Sequence, residues 1–159
     1  MNLVILYIMA TITSTTLTIT SSAFKNNGFI PVKYTCDGAN INPELRIEGI
    51  PADTKSLAVI VDDPDAPGGT FCHWVIWDIP PQNKINEDSQ PGIQGRNSFR
   101  KNQYSGPCPP GGIHHYHFKV YALNTTLGHL PPNTDEKLLL DAMKGHIISS
   151  GDLVGLYKR

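Results

Sequence analysis

Charge is scarce in this 159-residue sequence: only 17% of residues are Asp, Glu, Lys or Arg, and the net charge is −1. Too few charges are present for a disordered polyelectrolyte. No basic stripe exists to hold nucleic acid or an anionic membrane surface, so neither is expected as a partner. Long apolar runs are missing too. The longest candidate, "NLVILYIMA" near the start, is shorter than the roughly 20 residues that span a bilayer, which argues against stable membrane insertion. It resembles a signal-peptide core, but no Lys or Arg precedes it and no small-x-small cleavage site follows. Residues 1–16 therefore read as a disordered extension or weak signal-like leader, and residues 17–159 as a single domain. A cytoplasmic location is expected, with export as the alternative if the leader works.

Cysteine is sparse as well. Cys36, Cys72 and Cys108 have no C-x-x-C spacing and cannot supply the four closed ligands of a structural zinc site. The expectation is three reduced, partly buried thiols. The alternative is one bridge between Cys36 and Cys108, both of which sit in Gly- or Pro-rich loops. The motifs of familiar hydrolases and nucleotide-binding proteins are also absent: there is no G-x-S-x-G, no P-loop and no H-E-x-x-H.

What is present are short apolar segments rich in β-branched residues, punctuated throughout by Pro and Gly, a mostly β pattern. "TLTITS" (16–21) alternates like a strand with one wet face. "SLAVIVDD" (56–63) is continuously apolar and suits a strand covered on both faces. "FCHWVIWDI" (71–79), "HYHFKVYAL" (115–123) and "LVGLY" (153–157) are further strands. One helix is predicted over 134–145, with Thr134 as N-cap, Gly145 at C′ and an apolar stripe of Leu138, Leu139, Ala142 and Met143. Packed together, these elements predict a mainly β fold, an antiparallel sandwich with one or two peripheral helices.

Polar side chains collect around three segments. "VDDPDAPGG" (61–69) follows a buried strand, so Asp63 and Asp65 form an acidic rim where the strand leaves the sheet. Pro67 and Gly68 turn the chain there. The same spacing fails as a calcium loop, because Pro67 and Trp74 fall where oxygen ligands are needed. In "FCHWVIWDI", alternation groups Phe71, His73, Val75, Trp77 and Ile79 on one face, with His73 at the end nearest those carboxylates. In "GPCPPGGIHHYHFKV" (106–120), it puts His114 and Tyr116 on one face and His115 and His117 on the other. His115 and His117 form an H-x-H pair without a third ligand nearby. His114 and Tyr116 are a donor pair beside a Gly-Pro loop whose amides could meet an anion.

"DPDAP", then "HWVIWDIP", then "YSGPCPPGGIHHY", in that order and spacing, resemble the phosphatidylethanolamine-binding protein family, which includes the Raf kinase inhibitor proteins. The likeness runs over about residues 17 to 159 and is strongest to the shorter bacterial and archaeal YbhB/YbcL-like branch. It implies a Greek-key β-sandwich with an anion pocket formed by Asp63, Asp65, Pro67, His73, Gly106, Pro107, His114 and Tyr116. The implied ligand is phosphate-, carboxylate- or phosphoethanolamine-like. A kinase or protease partner and a homodimer are further implications, and no cofactor or metal is expected. His115 stands where the family usually has arginine, and the chain ends after its last strand, without the C-terminal helix of longer members. Because the sequence supplies no obvious nucleophile or metal motif, the expected function is anion binding rather than catalysis. The alternative is a hydrolase using His73 and Asp63 as an acid–base pair.

Overall fold

The computed structural model describes residues 16–159, so the leader lies outside the described residues except for Thr16. A small sheet carries β1 (Thr18–Thr20), β3 (Leu45–Glu48) and β6 (Lys84–Ile85), in the order β1-β3-β6. A larger one carries β2 (Gly28–Phe29), β4 (Ser56–Asp63), β5 (Phe71–Ile79), β7 (Ile93–Gln94), β8 (Ile113–Leu123) and β9 (Ile147–Lys158). Its order is β2-β9-β8-β4-β5-β7. All pairings are antiparallel except β2 with β9. The fold is mainly β, with one α-helix, α1 (Glu136–Met143), and a single 3₁₀ turn at Val32–Tyr34.

Burial follows the strand period. Leu57, Val59 and Val61 of β4 face the small sheet and join Ile19, Leu45, Ile47, Phe118 and Val120 in the main core. Ala58 and Ile60 point the other way, into a second cluster capped by Leu139 and Met143 of α1. Every residue of β4 is consequently buried, which is why its sequence is apolar without alternation.

Strict alternation fails in β5. Trp74, Ile76 and Ile79 lie in the main core, while Cys72, Val75 and Trp77 lie on the helix side. Two register shifts against β4 cause this: Val61 pairs with Trp74 but Asp62 with Cys72, and Val59 pairs with Ile76 but Leu57 with Ile79. The expected common face of Phe71, His73, Val75, Trp77 and Ile79 is therefore broken by bulges, each of which inserts a residue. His73 is the extra residue at the first.

The helix is shorter than 134–145, and its cap is Asp135 rather than Thr134. Asp135 accepts a hydrogen bond from the Leu138 amide at 2.9 Å. The Thr134 hydroxyl is already spent on the Pro131 carbonyl, and its own carbonyl accepts from the Arg96 amide. Leu138 is exposed, so the buried contacts come from Leu139 and Met143, with Leu140 beside them.

Cys36 and Cys108 form a disulfide, which corrects the expectation of three reduced thiols. Backbone contacts bring their loops together: the Cys36 amide donates to the Pro107 carbonyl, and the Gly106 amide to Asn40 Oδ1. Gly106 permits this approach, because a Cβ there would stand 2.1 Å from the Tyr34 carbonyl oxygen. Cys72 stays a free, buried thiol whose pKa is pushed up chiefly by burial, which leaves it unreactive.

Candidate functional site

Asp63 ends β4 and stands beside Phe71 at the start of β5, so the last carboxylate of a buried strand meets the bulge that carries His73. The neighbouring strand β8 brings His114 and Tyr116 to the same end. Together with Ala66 and Pro67 of the following turn, Phe99, and Cys108 to Pro110, they line a cavity of about 280 Å³.

Each polar wall group is held by a specific partner. Asp63 is almost fully buried. One of its oxygens accepts the Asp65 amide at 2.9 Å, closing the Asx-turn that aims the loop, and the other accepts His114 Nδ1–H at 2.7 Å. His73 is equally buried and lies 2.7 Å from the Ser105 carbonyl through Nδ1. A carbonyl cannot donate, so this nitrogen carries the proton. Among the described residues, both histidines make their side-chain hydrogen bonds through Nδ1, and none is seen through Nε2. Burial pulls the His73 pKa below its ordinary value, although the Ser105 and Gly106 carbonyls and the Asp63 charge act against that shift.

Tyr116 is fully buried, and its hydroxyl has no hydrogen-bond partner of acceptable geometry. Such an orphan costs roughly 1–3 kcal/mol. Burial and the nearby Asp63 charge push its pKa up, so it stays a neutral O–H donor. The rings of Phe71, Phe99 and Tyr116 stand edge-on or tilted to His73 with centroids 5.3 to 5.7 Å away, giving the cavity an aromatic wall.

Of the eight residues singled out from the sequence, Asp63, Pro67, His73, His114 and Tyr116 line the cavity. Asp65 does not. It stands on the rim, accepting from both the backbone and Nδ1 of the exposed His115, and these bonds hold its carboxyl below the usual range. Gly106 and Pro107 lie behind the wall, where they seat the loop. The Gly106 amide is taken by Asn40, so the loop offers no free amide there. Asp63 hydrogen-bonds His114 rather than His73, although Asp63 and His73 line the same cavity and the Asp63 charge acts on His73. Phe71, Phe99, Ala66, Cys108, Pro109 and Pro110 were not predicted as wall residues. Phe71 and Cys108 adjoin the motifs and could have been found from them. Phe99 arrives from a distant loop with no local signal.

A larger cavity of about 670 Å³ lies on the helix side, around Asp62, His117, Lys119 and Glu136. Most of its charges are already paired. Lys119 bonds the buried Asp62, His117 bonds Asp152, and Lys137 and Lys144 both reach Asp141. Burial and a hydrogen bond to Asp62 push the Glu136 pKa up to about 7.

The family model described as "Phosphatidylethanolamine-binding protein" matches residues 20–158. A UPF0098 protein of Pyrococcus horikoshii is 57% identical over 150 residues, covering 87% of this chain and 75% of the relative. Among solved structures, a phosphatidylethanolamine-binding protein homolog of Chlamydia trachomatis superposes with a TM-score of 0.86. It is 36% identical, covering 91% of this chain and 99% of its own. YbcL of E. coli, a member of the same family, gives a TM-score of 0.83 at 31% identity, covering 90% of this chain and 98% of its own.

Proposed function

The chain belongs to the phosphatidylethanolamine-binding protein family, and from that premise we propose that it is a binding protein for a small phosphate-type anion. The observation that carries the reading is the Tyr116 hydroxyl, fully buried and unpartnered at the wall of a cavity shared with two histidines whose Nε2 atoms are free. A bound oxyanion would give that donor its acceptor. The absence of a nucleophile among the described wall residues favours binding over hydrolysis: no serine lines the cavity, and Cys108 is committed to its disulfide.

Two further expectations accompany this reading. A kinase or protease partner rests on the family alone and is tested by whether ligand-loaded and ligand-free protein differ in binding such enzymes. No helix among the described residues is long and apolar enough to cross a membrane. We propose a cytoplasmic location, with export as the rival. The Cys36–Cys108 bridge fits either an oxidising compartment or the interior of a hyperthermophile, and fractionation of the source cell decides between cytoplasm and export.

Calorimetry with phosphate, acetate and phosphoethanolamine tests the binding reading. Saturable one-to-one binding of phosphate or phosphoethanolamine, lost in Tyr116→Phe with folding intact, is the expected result. Binding unchanged in that variant would remove the observation on which the reading stands.

A further inference from the structure

The hydrogen-bond polarity of the cavity is set by the protein around it. His73 gives its only neutral-state N–H to the Ser105 carbonyl at 2.7 Å, so the nitrogen left for the cavity is a bare lone pair. A lone pair cannot hold a fully deprotonated oxyanion, because both partners would be acceptors. Tyr116, by contrast, has an O–H that meets no acceptor in good hydrogen-bond geometry, although the Asp63 carboxylate lies close enough to act on it. One wall therefore asks the ligand for a proton while another offers one. His114 turns its free Nε2 to the same space, as an acceptor when neutral and a donor when protonated, with Asp63 behind it.

We propose that the cavity selects an oxyanion that still carries an ionisable proton, a hydrogen phosphate or a phosphate monoester in its singly protonated form, and discriminates against sulfate and phosphodiesters. The inference rests on the anion-binding reading above and adds the protonation state of the ligand. A phosphate monoester loses its second proton near pH 6, so the P–OH needed by His73 persists in part at neutral pH. Sulfate and phosphodiesters have no such proton in this range, and neither do ordinary carboxylates. One phosphorus centre then satisfies both walls: P–OH donates to His73 Nε2, and a P–O oxygen accepts from Tyr116.

The titratable groups facing His73 are few. Asp63 approaches from β4, and His114 and Tyr116 from β8; Asp62 acts on it from the far face of the sheet. Phe71 on its own strand and Phe99 from the loop bring no charge, and Cys108 is oxidised and does not titrate. Burial among these groups opposes protonation of His73 itself, which leaves the ligand as the proton carrier.

The experiment is calorimetry of the full chain with inorganic phosphate, sulfate, methyl phosphate and methylphosphonate across the neutral range, repeated in buffers of different ionisation enthalpy. Phosphate should bind roughly tenfold or more tighter than sulfate, the scale of one unmade buried hydrogen bond. Affinity should rise as pH falls through the ligand's second ionisation. The midpoint should move with the ligand, lying higher for methylphosphonate than for methyl phosphate. His73→Gln, whose amide can donate, should narrow the gap between phosphate and sulfate. The wild-type midpoints decide the matter even if that variant fails to fold. Equal affinity for sulfate, or one midpoint common to all ligands, would overturn the proposal while leaving anion binding intact. Failure of every anion to bind would overturn the anion-binding reading together with it.

Discussion

Asp62 and Asp63 are consecutive in β4, both almost completely buried, and strand alternation sends them to opposite faces of the large sheet. The two faces treat the same chemical group differently. On the helix side Asp62 meets Lys119 on the paired strand and the Glu136 carboxyl above it. Lysine is a fixed cation, and apart from the Glu136 carboxyl the charges lining that larger cavity are paired. Toward the small sheet Asp63 meets His114, a partner that can be neutral or charged, beside a tyrosine hydroxyl without a well-aligned hydrogen bond. A saturated network serves the fold, and an unsaturated one is available to a ligand.

Substitutions on either face can break this contrast. Asp63→Ala removes the acceptor of both the Asp65 amide and His114. It should cost about 2–4 kcal/mol of stability in urea unfolding and abolish phosphate binding. Stability loss with binding retained would mean that the two faces are alike. Asp62→Ala should cost less, about 1–2 kcal/mol, because Lys119 is part-exposed and can turn to water. Its phosphate affinity should stay within about twofold of wild type, the usual result away from a site.

The third effect is a pH dependence confined to the helix side. The Glu136 pKa is raised to about 7 in the folded protein. Between its ordinary value and about 7 the folded state holds the extra proton. The stability this contributes is complete at low pH and lost as pH rises through about 7. Glu136 is partly exposed, so screening limits the loss to about 1 kcal/mol. Glu136→Gln should flatten that slope in thermal melts from acid to mildly alkaline pH, and an unchanged slope would assign it to another group. The smallest change belongs to His115→Ala. Though adjacent to His114, it lies on the exposed face and should alter phosphate affinity by only a few tenths of a kcal/mol.

Legibility in the sequence tracked how local each determinant was. The bounds of β4 and β5 could be read directly, because continuous or dense apolar runs between Pro and Gly turns need no tertiary information. The assignment of His114 and His115 to opposite faces needed only the period of two. Burial of Leu17 and Ile19 between exposed Thr18 and Thr20 followed the same rule. The face of His73 could not be had that way, since the bulge that sets it comes from the pairing of β4 with β5 and has no signature of its own in "FCHWV". The two-residue strands β2, β6 and β7 are likewise too short to carry a pattern. The helix cap moved by one residue because Thr134 was needed by its neighbours. Phe99 and the disulfide depend on loops that meet only in the folded chain.

The Cys36–Cys108 bond, between cysteines 72 positions apart, turns everything between its ends into a covalent ring, which contains β3 to β7 and the acidic turn beside the cavity. That turn, around Pro67 to Gly69, is exposed and is the natural place for an endopeptidase to cut. A cut there would open the ring without releasing anything. The nicked protein should run as one species on a non-reducing gel and as two fragments after dithiothreitol. Its two halves would stay at high effective concentration, so the sandwich could close again around the break. The bridge thus makes this exposed turn one whose scission would not separate the two halves of the molecule.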